Sequence, residues 1–334
     1  MKNKIKNIIK NIPGFNIINK IRKDYKFKKE FSNDYKFFKN NYVYSKQTTK
    51  EKLEYEMILE IHKLEKGFAV INPRPFGIDK IKKIIELIKK FESCNYERSF
   101  SYNLAYSSLE EYKKFYEEKD WTDTDQYKIV ANFLDTDKEY NYIPVGAYNL
   151  NKGDFIEDSK IDFDKFISSR KSVRNFASKE LSIEDINKAV NMAIKSPSAC
   201  NRQMCKVYYI DSDNNKKVIE KYAQGLGLFD LTNANYFVIT FDISANYFIG
   251  ERNQGWFNAG LFSMNFVNAL HSLGIGSCFI QFGNSFKEEQ KMKKIFNIPD
   301  SERIAVIITA GYYDEVSRIP YSTRKNIKDI YRKI

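Results

Sequence analysis

Arg170-Lys171-Ser172-Val173-Arg174 puts three cations and a hydroxyl into five residues. Such a group suits a dianionic phosphate, because charge-assisted hydrogen bonds are the stronger class. About two dozen residues on comes Ser196-Pro197-Ser198-Ala199-Cys200-Asn201-Arg202-Gln203. Proline and small residues there leave room for a flat ring against the backbone. Asn201 and Gln203 carry paired donors and acceptors of the kind a polar ring edge needs. Each segment also has a plain reading. Cations are favoured at any helix C-terminus, and the second segment suits an ordinary helix-to-strand loop. Their order and spacing together favour a site with a phosphate at one end and a polar ring at the other. Arg170 and Arg174, four apart, share a face if that turn is helical.

Several elements must position these segments. Phe163, Phe166 and Ile167 form a helix face that ends at the arginine cluster. Ser182 is an N-cap with Asp185 at the third helical position. The helix it opens carries Ile186, Val190, Ala193 and Ile194 and stops before Pro197. Val207 to Ile210, Tyr236 to Phe241, Ser277 to Gln281 and Ile304 to Ala310 read as strands. Gly255 to Leu273 reads as a long, mostly apolar helix suited to a buried dimer contact, and Phe286 to Phe296 as another helix. Helices alternating with strands, without tight hairpin signals, imply a sheet between helical layers.

The first 155 residues read differently. Residues 51–66 carry the stripe Leu53, Met57, Ile61, Leu64. His62 and Glu65 lie three apart there, and a solvated or hydrogen-bonded pair is the ordinary reading. A turn at 72–77 follows, then helical patterns at Ile81, Ile84, Ile85, Ile88 and at 101–118. Residues 1–50 hold 14 Lys/Arg against 3 Asp/Glu, so most of the net charge of +12 sits in this arm. Ile5, Ile8, Ile9 and Ile12 share a helical face before Pro13-Gly14. That is either a basic amphipathic helix on an anionic membrane, through residues 1–21, or an arm packed on the protein's own surface. The divisions expected are an arm at 1–50, a helical extension at 51–155 and a C-terminal domain at 156–334 that carries both candidate segments.

The C-terminal pattern resembles the FMN-dependent nitroreductase family over about residues 160–330. It rests on Arg-Lys-Ser-Val-Arg, a helix, Ser-Pro-Ser-Ala-x-Asn-x-Gln and a strand. Leu273-Gly-Ile-Gly-Ser-Cys278 and Gly311-Tyr312 follow in the same order. The resemblance implies an α+β fold, a three-layer α/β/α sandwich with a mainly helical N-terminal extension. It implies FMN as cofactor, NAD(P)H as electron donor, and a nitroaromatic, quinone or related small-molecule acceptor reduced in a ping-pong sequence. It also implies a homodimer with the flavin at its interface. Arg170, Lys171 and Ser172 would then hold the phosphate, and Arg174 the ribityl chain and the N1/O2 edge. Pro197, Ser198 and Ala199 would line the ring from the partner subunit, with Asn201 and Gln203 in the same region. The backbone of Ile280 and Gln281 would approach N5, and Arg324 would be a late phosphate ligand. No side-chain acid or base is required. The chain departs from the family at Asn258, where an acid is common, and at Cys200 and Met204. The Lys that often accompanies the late arginine is not clearly placed.

Other classes find less support. Gly274-Ile-Gly276 lacks the third glycine of a dinucleotide fingerprint, and no phosphate-cradling GxxxxGK[ST] exists. Cys94, Cys200, Cys205 and Cys278 form no CxxC pair. With only His62 and His271, neither a Cys/His metal site nor a Ser-His-acid triad is suggested. The scattered thiols fit a reducing cytoplasm, and no apolar run has the length of a membrane span. A cytoplasmic protein, at most peripheral to the membrane, is expected. Nucleic-acid binding has no motif behind it. The rival reading is a flavin-binding interaction or membrane-associated accessory protein without turnover.

Overall fold

The computed structural model describes residues 15–45, 48–70, 72–135, 139–147, 161–226, 232–317 and 326–334. The isoleucine face at residues 5–12 lies outside them, as do Arg324 and the expected boundary at 155/156.

The described residues begin with a long helix, α1 (Phe15–Asn41), at a place where the sequence showed no apolar stripe. Its apolar residues follow no single buried stripe: Ile17, Ile18, Ile21, Tyr25 and Phe31 are exposed. Only its last turns dock, through Phe37 and Phe38, onto Met204, Phe241 and Ile243. Glu30 accepts the Phe286 amide at 3.0 Å and Asp34 meets Arg303 at 2.8 Å.

Four helices follow, α2 (Lys50–Phe68), α3 (Ile78–Ser93), α4 (Phe100–Glu118) and α5 (Asp125–Leu134). Thr49, Ser99 and Thr124 cap α2, α4 and α5 by accepting an amide from the first turn. The expected stripes of α2 and α3 meet in one apolar core with Tyr106, Leu109 and Tyr112 of α4. The turn at 72–77 is held from α4, where the Tyr116 hydroxyl accepts from the Phe76 amide at 2.6 Å and donates to its carbonyl at 2.9 Å. His62 Nδ1 lies 3.4 Å from Glu65 at a half-buried position, the ordinary arrangement of such a pair.

The C-terminal part is α+β. It continues with α6 (Phe163–Ser169), α7 (Ile183–Ala193), β1 (Cys205–Ile210), α8 (Asp213–Tyr222) and β2 (Asn235–Asp242). Then come α9 (Gln254–Ser272), β3 (Ile275–Ile280), α10 (Phe286–Ile295), β4 (Glu302–Tyr312) and the short α11 (Ile327–Ile330). The strands form one sheet in the order β1-β2-β4-β3, with every neighbour antiparallel. Side-chain alternation gives the sheet two apolar faces. Phe237, Ile239 and Ile308 pack under α7 and α9, while Tyr236, Val238 and Ile307 meet Ile219 of α8 and Met292 of α10. That is the expected layering of helix, sheet and helix.

The expected helix ending at the arginine cluster is present as α6, with Phe163 and Ile167 exposed on it. One expectation for this part needs correction. The residues after α6 are extended, not helical: Arg170 has φ −63° and ψ 121°, and Ser172 bridges Ser277 of β3 in parallel. Hydrogen bonding to a sheet edge, with Val173 N–H to Ser277 O at 3.0 Å, outweighs the local helical preference.

Two glycines make that arrangement possible. Gly276 and Gly311 face each other across β3 and β4. A Cβ on Gly276 would lie 3.1 Å from Val173 Cβ, and one on Gly311 would lie 2.6 Å from Phe176 Cβ. The bare strip of sheet lets the segment from Val173 to Phe176 lie flat against it. Because Phe176 Cβ moves only with its backbone, Gly311→Ala should displace the arm. The overpacking cost of about 1–3 kcal/mol exceeds the roughly 0.5–1 kcal/mol that alanine gains over glycine in a strand. Thermal unfolding should show a lower midpoint for Gly311→Ala, and an unchanged or higher one would refute this account of the arm.

Candidate functional site

The extended arm sorts the arginine cluster by period two. Arg170, Ser172 and Arg174 share one side and Lys171, exposed, projects from the other. Arg170, Ser172 and Arg174 converge on Cys278 of β3: burial pushes its thiol up, and all three pull it down. Arg174 donates to the Ser172 carbonyl at 3.4 Å and is half-buried. Next to Arg170, His271 contacts the Ser169 hydroxyl through Nε2 at 2.8 Å and the Tyr313 hydroxyl through Nδ1 at 2.7 Å. Burial, then the Arg170 charge, pushes its imidazole down. Ile280 ends the same strand with a buried side chain, and the exposed Gln281 accepts the Gln224 amide at 3.1 Å.

The loop from Ser196 to Gln203 lies elsewhere. It makes a 3-10 turn at Ala199–Asn201 and feeds β1. Cys200, Asn201 and Gln203 all adopt left-handed backbone, with φ of 50°, 51° and 50°. Such a run in non-glycine residues is strained, so the surroundings must hold it. Ser198 Oγ accepts the Gln203 amide at 3.0 Å, and Gln203 Nε2 donates to the Asn201 carbonyl at 3.3 Å. The largest restraint is Arg202, which is 1% exposed. Its Nε donates to the Ala199 carbonyl at 2.8 Å, its Nη1 bonds the Ala245 carbonyl, and its two terminal nitrogens fork onto Glu251 at 2.8 and 2.7 Å. Helix α2 packs against the 3-10 turn from outside.

Pro197, Ser198 and Gln203 line a cavity of about 220 Å³ with Met204, Asn258 and Phe262. Asn258 is 2% exposed and its Oδ1 accepts from Gln254 at 2.9 Å, while its Nδ2 has no partner. A buried amide donor without an acceptor is costly. At this cavity it suits a ligand carrying carbonyl or ring-nitrogen acceptors. Asn201 is exposed at the loop's outer side.

The two halves do not meet within one chain. The arginine arm borders β3 in the row Ser277–Ala310–Asn235, whereas the loop enters β1 in the row Cys205–Phe241–Arg303. These are opposite edges and opposite ends of the sheet, roughly 20–25 Å apart by strand spacing and rise. Arg324 lies outside the described residues. Sequence reasoning missed Arg202 and Glu251, whose pairing over 49 residues leaves no local trace. The paired glycines of β3 and β4 did leave one, since an isolated glycine in a strand marks close backbone approach. Among the described residues no cluster of His, Cys, Asp or Glu is arranged to hold a metal ion, and no helix is long and apolar enough to cross a membrane.

Residues 167–237 and 232–312 match the model of the nitroreductase family. The match is confined to the C-terminal region of the chain, and the N-terminal helices lie outside it. No curated protein matches the chain. Among solved structures it is similar to a nitroreductase family protein from Streptococcus pneumoniae TIGR4, at 23% identity over 52% of this chain and 100% of that one, with a TM-score of 0.44. An FMN-dependent nitroreductase from Clostridium difficile R20291 gives 23% identity over 51% and 98% of the two chains, with a TM-score of 0.43. A nitroreductase family protein from Clostridium novyi NT gives 21% identity over 46% and 87%, with a TM-score of 0.42.

The Glu251 carboxylate carries a checkable consequence. Burial opposes its charge, but the Arg202 fork and the Tyr247 amide hold its carboxyl below the ordinary 4.5. A depressed folded pKa gives stability that is complete above about pH 4.5 and lost as pH falls through the lower folded value. Glu251→Ala should cost about 3–5 kcal/mol at pH 7, because it strands a buried guanidinium. Denaturant titrations from pH 7 downward should show the gap to the unsubstituted protein narrowing only below about pH 4.5. A gap that is small at pH 7 would remove the fork as the anchor of the loop.

Proposed function

We propose that the protein is an FMN-dependent oxidoreductase that takes electrons from NAD(P)H and passes them to a nitroaromatic, quinone or related acceptor. The observation that carries this reading is the alignment of Arg170, Ser172 and Arg174 along one edge strand that also ends in Ile280 and Gln281. A phosphate end on the arm and a ring-approaching backbone at the end of β3 would then lie along one sheet edge. The family match over the same residues supports it.

The residues present fit the cofactor. Arg170 and Ser172 would bind the phosphate, with Lys171 on the outer side of the arm and Arg324 as a further cation. Arg174 would reach the ribityl chain and the pyrimidine edge, where a cation stabilises negative charge. Pro197, Ser198 and Ala199 would form the ring's platform, with Asn201, Gln203 and the unpartnered Asn258 amide as polar contacts. Bound FMN would supply the hydride chemistry, first as acceptor and then as donor, in a ping-pong order. The chain's own contribution is position, charge and exclusion of water, and no side-chain acid or base is assigned. Since the two halves lie at opposite corners of one sheet, the complete site needs two copies, with the loop of one facing the arginine arm of the other. The four cysteines are free thiols, in keeping with a reducing cytoplasm.

The purified protein should be yellow, and NADH or NADPH should bleach the flavin absorbance until an acceptor is added. Arg174→Ala should weaken FMN binding by roughly tenfold or more, the worth of one charge-assisted contact. Protein that stays colourless with added FMN would end the proposal, and an unchanged FMN dissociation constant in Arg174→Ala would remove that residue from the site.

A second, compatible reading concerns the basic arm. Ile17, Ile18 and Ile21 are exposed on a helix carrying Lys20, Arg22 and Lys23. This favours peripheral contact with an anionic membrane. Co-sedimentation with anionic vesicles should be lost on deleting residues 1–21 while FMN reduction persists. Equal sedimentation of both proteins would exclude membrane contact through that segment.

A further inference from the structure

A second hollow lies between α1 and the segment from Tyr247 to Trp256. It measures about 810 Å³, within the range of small-molecule sites. None of the flavin-assigned residues lines it. Its walls are aromatic: Phe38 and Tyr44 on one side, Tyr247, Phe248 and Trp256 on the other. Tyr44, Phe248 and Trp256 keep 51%, 54% and 42% of their surface exposed around this one space.

The far wall is built, not loose. Glu251 takes the Arg202 fork and also accepts the Tyr247 amide at 2.6 Å. The Phe248 ring folds over Gly250, where a Cβ would lie 2.4 Å from it. Tyr44 and Tyr247 meet edge to face at 4.9 Å. Arg303 lies 5.4 Å above Trp256 and 5.3 Å from Phe37.

Charge distinguishes the occupant. Arg303 and Asp34 both line the hollow, but they neutralise each other, and the Arg303 Nε also donates to both carboxylate oxygens of Glu289 at 2.9 and 3.0 Å. Arg252 and Lys39 remain at the rim, and neither has a carboxylate within ion-pair distance among the described residues. Stacking surfaces inside and uncompensated cations at the mouth suit one class of ligand. We infer that this hollow is a second ligand site, which takes a flat aromatic molecule bearing a single anionic group. The site is independent of the flavin reading.

The test uses the full chain saturated with FMN, so that the flavin cavity is not the receptor. Calorimetric titration with naphthalene-2-sulfonate and with neutral naphthalene-2-methanol compares charge on one ring system. The sulfonate should bind the more tightly. Arg252→Ala should weaken it about tenfold and leave the alcohol within about twofold, whereas Trp256→Ala should weaken both. Arg252 is surface-exposed, so its variant leaves the fold intact and carries the decisive comparison, while thermal unfolding checks Trp256→Ala, whose ring packs on Phe241. Absence of saturable sulfonate binding overturns the inference. So does equal affinity for the two probes, or an Arg252→Ala variant that binds the sulfonate normally. Sedimentation provides a further check: if Trp256→Ala dissociates an oligomer, the hollow is a contact between copies and the inference fails.

Discussion

The buried fork between Arg202 and Glu251 is the interaction on which the candidate site depends. A guanidinium taken out of water is costly unless its donors are used, and here Nε, Nη1 and Nη2 all bond to protein acceptors. Those bonds reach the 3-10 turn of the loop, the carbonyl of Ala245 and the segment that walls the aromatic hollow. One side chain thereby fixes three pieces of backbone. It also explains how Cys200, Asn201 and Gln203 stay in left-handed conformations. Such strain persists only where the surroundings over-determine it, and the residue between them is the most tightly held in the loop.

The sheet supplies the second constraint. A four-stranded antiparallel sheet has two free edges, and each candidate half-site uses a different one. At the β3 edge, the glycine pair permits the arginine arm to bridge Ser277 and the backbone there is used up. At the β1 edge, the loop enters beside α9 and its unpartnered Asn258 amide. Strand order sets the separation of the halves, and no side-chain rearrangement within one chain closes it. The two-copy arrangement proposed for the site therefore answers a geometric need.

Legibility in the sequence followed the range of the forces involved. Helices α2, α3, α4 and α7 announced themselves because their apolar residues recur at helical spacing, and α2, α4 and α7 also carry local side-chain caps. The strands were visible only in their apolar middles. The ends of β1 and β4 were hidden because Lys206 and Glu302 look like loop residues until they meet at 2.7 Å, with the Tyr208 hydroxyl also on Glu302. The arm at 170–174 was legible in chemistry but not in shape, since a distant strand decides that it is extended. Helix α1 lacked a stripe to read, α5 packs Tyr127, Val130 and Phe133 onto the helical core within only ten residues, and α8 is a short helix whose packing face carries few apolar residues. For the loop, residue types were visible and the restraint that shapes them, Arg202 to Glu251, was not.

The N-terminal helices bear on the site through contact, not through chemistry of their own. Helix α2 packs its apolar stripe inward, and the opposite side meets the 3-10 turns at Ala199–Asn201 and Ile243–Ala245. Tyr55 of α2 joins Met204 and Phe241 in one apolar cluster with Phe37 and Phe38 of α1. The loop is thus shaped from two directions: from within by Arg202, and from without by helices that lie beyond the family match. Helix α1 divides along its length in the same way. Glu30, Asp34, Phe37 and Phe38 tie its end to α10 and Arg303, and the basic, apolar-studded beginning stays exposed.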